Sequence, residues 1–188
     1  RRRDGRPDGA PLLIVHRDVS PQNVLIDKQG RLKLVDFGVA KLLDEKLVDP
    51  ETSELTRTGT LLGTPHYMSP EQLLQTRTAD HRSDLWSLGV VMYKMLAGET
   101  PFERAASMGL TVLAICAEPI QPLRERAPWV SKELARIVDA CLERDLARRI
   151  GTARELLAAL EPLLVDGERL RADELVSLPP ELQAQLDD

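Results

Sequence analysis

Three oxygen-bearing side chains stand close together early in this 188-residue sequence: Asp18, Asn23 and Asp36. Asp18 closes the triplet His16-Arg17-Asp18, Asn23 follows five residues later, and Asp36 opens Asp36-Phe37-Gly38 another thirteen residues on. A carboxylate held beside a hydroxyl can accept its proton. A second carboxylate and a carboxamide oxygen are the hard donors that Mg²⁺ prefers. The histidines His16, His66 and His81 are scattered, which reads as structural and offers no transition-metal spacing.

The segments between these residues must position them. Residues 24–26 and 31–35 read as two short strands around Asp27-Lys28-Gln29-Gly30, whose turn chemistry predicts a hairpin. That hairpin separates Asn23 from Asp36 along the chain yet sets them at its two open ends. Residues 1–11 are rich in Gly, Pro and charge and read as a loop, a remnant of an upstream segment. Residues 39–65 are polar and acidic, without helical or strand period, and read as a long loop.

Helix upon helix is expected after that. Residues 84–97 carry an apolar face closed by Gly98, and 110–117 form a shorter apolar stretch before Pro119. Ser131 caps a helix through Leu142 with Leu134, Ile137, Val138 and Cys141 on one face. Thr152-Ala153-Arg154-Glu155 is a capping box opening a helix over 153–160. The stripe Leu85, Leu88, Val91, Met92, Met95 reads as core, and residues 164–188 as a charged tail.

A net charge of −5 gives no reason to expect nucleic acid as a partner, and Arg1-Arg2-Arg3 reads as a solvated run. Cys116 and Cys141 lack Cys-x-x-Cys spacing and sit in apolar patterns, so they read as buried reduced thiols of a cytoplasmic protein. The apolar run 85–93 is too short to span a bilayer, and no membrane segment is expected in this chain.

With Gly63-Thr64-Pro65-His66-Tyr67-Met68-Ser69-Pro70-Glu71 and Asp84-Leu85-Trp86-Ser87-Leu88-Gly89, these motifs resemble, in order, the eukaryotic-type Ser/Thr protein kinases. The resemblance covers residues 12–163 and is to the C-terminal lobe, mainly α-helical with a short β-hairpin carrying the catalytic and metal-binding turns. It is similar in particular to bacterial members whose catalytic loop reads His-Arg-Asp-Val-Ser-Pro.

The resemblance implies Asp18 as catalytic base, with His16, Arg17 and Ser20 supporting its loop, and Asn23 and Asp36 as the ligands of Mg²⁺ on ATP. It implies that Arg17 pairs with a phosphorylated loop, for which Thr56, Thr58 and Thr60 are the candidate phosphoacceptors, with Ser53 behind them. Thr64 would belong to a platform for a protein substrate with a Ser or Thr acceptor. Glu71 would pair with Arg149, and Asp84 would hold the backbone of the His-Arg-Asp loop.

Two departures stand out. Ser20 occupies the place where the family usually has Lys, and the 188 residues contain no Gly-rich loop and no strand of the Val-Ala-Ile-Lys type. A length short for two lobes and Arg1 at the start lead us to expect a fragment lacking its ATP-gripping N-lobe, a partner it needs. On its own this chain is then expected to bind ATP poorly, to transfer no phosphate and to expose an apolar surface. The alternative is a non-catalytic kinase-like scaffold or binding module.

Overall fold

A computed structural model of the chain describes residues 15–36, 65–74, 79–103, 105 and 107–164. The described part opens with a 3₁₀ turn, Pro21–Asn23, that feeds the antiparallel pair β1 (Val24–Ile26) and β2 (Leu32–Leu34). Val24 faces Leu34 and Ile26 faces Leu32. Asp27 organises the turn: its carboxylate accepts from the backbone N–H of Gln29 and of Arg31, and Gly30 takes a positive φ of 73°. A two-stranded ribbon is marginal by itself. Leu25, Ile26 and Leu32 on this ribbon are exposed.

Six helices follow among the described residues. They are α1 (Pro70–Leu74), α2 (His81–Ala97), α3 (Met108–Cys116), α4 (Leu123–Arg126), α5 (Lys132–Cys141) and α6 (Ala153–Leu160). Their ends are set by local chemistry. Asp80 caps α2 by accepting from Arg82 N–H, and Gly98, at φ 83°, ends it. Ser107, Ser131 and Thr152 cap α3, α5 and α6 in the same way. Glu155 completes the last cap by accepting from Gly151 N–H, one residue ahead of Thr152.

The core is built around α2, with Trp86, Val90 and Tyr93 fully buried against Ile115, Leu123 and Val138 from α3, α4 and α5. Trp86 stacks on Phe102, centroids 6.2 Å apart. A second cluster, Leu85, Cys141, Ile150 and Leu156, joins α2 to α6. Gly89 lets α2 and α5 touch, since a Cβ there would stand 2.6 Å from Cys141 Cβ.

One expected core residue is not core. Met95 is 79% exposed, although its stripe mates Leu85 and Val91 are buried. The helix is enclosed around most of its girth, so a single stripe does not define its inner face; Met95, in the last turn, projects past its neighbours. Both cysteines are free, Cys141 buried and Cys116 half-buried. No helix of the described residues is long and apolar enough to cross a membrane.

Candidate active site

The loop 16–18 is held in an unfavourable backbone shape by long-range contacts. Arg17 has φ 66°, in the left-handed region that costs a non-glycine residue on the order of 1–2 kcal/mol. Asp84, in the first turn of α2, opposes that cost. Its Oδ2 accepts the His16 N–H and its Oδ1 the Arg17 N–H, both at 2.8 Å. The Arg17 carbonyl accepts from Gln72 Nε2, also at 2.8 Å. The strained residue is therefore gripped on both sides of its Cα.

His16 is buried and ties the two arms of the site together. Its Nε2 donates to the Val35 carbonyl at 3.0 Å, and its Nδ1 accepts the Asp18 N–H at 3.3 Å. The tautomer protonated at Nε2 satisfies both contacts. Val35 N–H in turn donates to the Asn23 carbonyl at 2.9 Å, extending the hairpin register to the residue before Asp36. Asp36 has φ 57°, a second left-handed residue in a site of few residues, and is exposed.

Asn23 and Asp18 are in direct contact. Asn23 Nδ2 donates to the Asp18 carbonyl at 2.8 Å and to Asp18 Oδ2 at 3.1 Å. Burial of Asn23 and these two bonds fix its carboxamide, with the nitrogen committed to Asp18 and the oxygen suited to a cation. A carboxamide oxygen and the Asp36 carboxylate make a donor set that fits Mg²⁺. Ser20 is buried and precedes the 3₁₀ turn, its side chain making no capping hydrogen bond.

Farther out, Arg149 and Glu71 form a buried ion pair. Arg149 Nη1 and Nη2 donate to the two Glu71 carboxylate oxygens at 2.6 and 3.1 Å, and Ser83 Oγ donates to Oε1 at 2.8 Å. The guanidinium also donates to the carbonyls of Glu143 and Arg82 and lies 5.0 Å from the Trp86 ring centroid. Burial raises the Glu71 carboxyl, but the hydrogen bond and charge of Arg149 outweigh it and hold the group below its ordinary range.

Phe37, Gly38, Ser53, Thr56, Thr58, Thr60 and Thr64 lie outside the described residues, as do Gly63 and the tail beyond residue 164. Among the described residues the structure thus brings His16, Arg17, Asp18, Asn23 and Asp84 together, with Val35 carrying Asp36 to the same place. The Glu71–Arg149 pair stands apart. Sequence reasoning did not single out Gln72, although Ser69-Pro70-Glu71-Gln72 has capping-box spacing that marks it as a helix-start residue.

The protein kinase domain family matches residues 12–160. The chain is 36% identical over 165 residues to serine/threonine-protein kinase pkn3 of Myxococcus xanthus, an alignment covering 85% of this chain and 29% of that protein. It is 36% identical over 155 residues to a probable serine/threonine-protein kinase, CPE1738, of Clostridium perfringens, covering 81% and 21%. With serine/threonine-protein kinase PknB of Mycolicibacterium smegmatis the identity is 37% over 147 residues, covering 78% and 22%. The chain spans less than a third of the length of these curated relatives. Both the family match and these identities show that the chain belongs to the protein kinase domain family.

Proposed function

We propose that this protein is a Ser/Thr protein kinase, transferring the terminal phosphoryl group of ATP to a Ser or Thr hydroxyl of a protein substrate. The observation that carries the reading is the Asp18–Asn23 contact, set in a loop whose backbone is clamped by Asp84. Asp18 is the base that takes the acceptor hydroxyl's proton. Asn23 keeps that carboxylate oriented through Nδ2 and, with Asp36, holds Mg²⁺ through oxygen. Bound Mg²⁺ supplies positive charge against the phosphates of ATP.

Arg17 is the residue that meets a phosphate on Thr56, Thr58 or Thr60, a contact that orders a loop by bidentate hydrogen bonding. Thr64 belongs with the following turn to the protein-substrate platform. The relatives' names, each a serine/threonine-protein kinase, support Ser/Thr acceptors. Because these 188 residues hold neither a Gly-rich loop nor a strand lysine, we infer that they do not transfer phosphate alone and act with an N-lobe that grips ATP.

The test is labelled phosphate transfer to a generic protein by the intact gene product, with Asp18→Asn beside it. Loss of a positioned base is expected to lower the rate by about 10²–10⁴-fold. A variant as fast as wild type would remove Asp18 from the chemistry. One observation favours a second reading, a kinase-like scaffold: Ser20 is buried where the family usually places a lysine, so no ammonium reaches a phosphate from there. An inactive wild type that binds Mg·ATP no better than its Asp36→Ala variant would decide for the scaffold.

A further inference from the structure

We propose that Gln72 is a positioning residue for phosphoryl transfer, fixing the peptide on which the Asp18 base is mounted; the proposal rests on Asp18 being that base. Gln72 first acts locally. Its Oε1 accepts from the Ser69 N–H at 3.0 Å and from the Ser69 hydroxyl at 3.2 Å, while its own N–H approaches Ser69 Oγ at 3.4 Å. This is the reciprocal capping box, and it requires of the side chain only an acceptor. Glutamate serves there as well as glutamine.

A glutamine has a donor left over, and the structure uses it. Gln72 Nε2 donates to the Arg17 carbonyl at 2.8 Å, across 55 residues of sequence. That carbonyl belongs to the same planar peptide as the Asp18 nitrogen, whose N–H is taken by His16 Nδ1. With the oxygen gripped at one edge and the hydrogen at the other, the plane cannot rotate freely. The Asp18 side chain leaves from the next atom, so its direction is set by this plane.

The grip also acts on strain. Arg17 sits at φ 66°, and Asp84 restrains only its N–H side. Releasing the carbonyl lets the residue relax toward an ordinary conformation and carries Asp18 with it. A misplacement of a reacting group by a fraction of its contact distance is enough to slow a reaction. Because Ser69 and Gln72 flank Glu71 at the end of the Gly63–Glu71 segment, the tie joins the substrate platform to the base.

Two variants separate the local cap from the long-range grip. Gln72→Glu keeps the acceptor and loses the donor, and its charge at the start of α1 does not harm the helix. Gln72→Met loses both. In steady-state assays of the intact gene product, Gln72→Glu is expected to lower kcat about tenfold, the cost of one well-placed hydrogen bond, with KM for ATP unchanged and the thermal midpoint lowered by no more than the few degrees that one lost hydrogen bond costs. Gln72→Met is expected to lose both kcat and thermal stability; should it fail to fold, the glutamate variant carries the test alone.

An active wild type with kcat unchanged in Gln72→Glu overturns the role of Gln72 and leaves the kinase reading standing. A fall in activity that tracks only a loss of folded protein, with kcat per folded molecule unchanged in Gln72→Glu, also overturns it, since Gln72 would then be structural only. A wild type lacking Asp18-dependent transfer removes the kinase reading, and the role of Gln72 falls with it.

Discussion

Replacing Arg149 by Met puts a number on the buried ion pair. The Arg149 side chain is 0% exposed and that of Glu71 10%, so solvent screens the pair little. The variant strips Glu71 of two guanidinium hydrogen bonds and leaves it the Ser83 hydroxyl; the carbonyls of Arg82 and Glu143 lose a donor each. The stranded carboxylate has an escape, which is to take a proton. From an ordinary value of 4.5, protonation at pH 7 costs about 3.4 kcal/mol, a ceiling on what the stranded charge itself costs the variant. Adding about 1 kcal/mol for the carbonyl contacts gives an expected destabilisation of about 3–5 kcal/mol at pH 7.

The same reasoning fixes a pH dependence. Glu71 is held below its ordinary value in the folded protein, so its contribution is full above about 4.5 and is lost as pH falls through the folded value. In the variant that contribution is already gone. There the stranded carboxyl folds protonated, at a cost that falls as pH drops from 7 toward 4.5. The gap between wild type and Arg149→Met therefore narrows over that window, and further below it as the wild-type contribution is lost. Urea titrations followed by the fluorescence of buried Trp86, with exposed Trp129 replaced by Phe, measure both quantities. A loss below about 1 kcal/mol at pH 7, or a gap that does not narrow, would refute the argument. The double variant Glu71→Leu/Arg149→Met is expected to regain most of the loss, since no charge is then left buried alone.

Two further outcomes test the packing. Gly89→Ala is expected to cost about 1–3 kcal/mol in a urea titration, because its Cβ would meet Cys141 Cβ at 2.6 Å and Leu142 Cδ2 at 3.2 Å. Adding Cys141→Ala should not relieve it, since the colliding Cβ remains. Burial raises both thiols, that of Cys141 up to about 12, so iodoacetamide at pH 8 should label half-buried Cys116 slowly in the native chain and reach Cys141 only after unfolding. Prompt double labelling, counted by mass, would contradict the core drawn around Gly89.

What was legible in the sequence is what local chemistry decides. Asp27 and Gly30 announce a tight turn between two short apolar runs, and Ser131 and Thr152 announce helix starts, because caps and turns are settled by residues a few positions apart. The short helices α1 and α4 carry too few turns for any period to show. Met95 failed for a different reason: periodicity says which residues share a face, but only the neighbours of α2 say which faces are covered and how far along the axis the cover extends.

The working part of the site lies one step beyond local rules. Arg17 and Asp36 adopt backbone shapes that their own side chains disfavour. The stabilising groups arrive from Asp84, 67 residues on, and from Gln72, 55 residues on. Each is read locally as something else, an acid in the first turn of a helix and the acceptor of a capping box. The second use of each side chain becomes visible only once α1 and α2 are packed against the loop. A site assembled this way is coupled to the helical core by construction, because the strain at Arg17 can persist only while both helices hold their places.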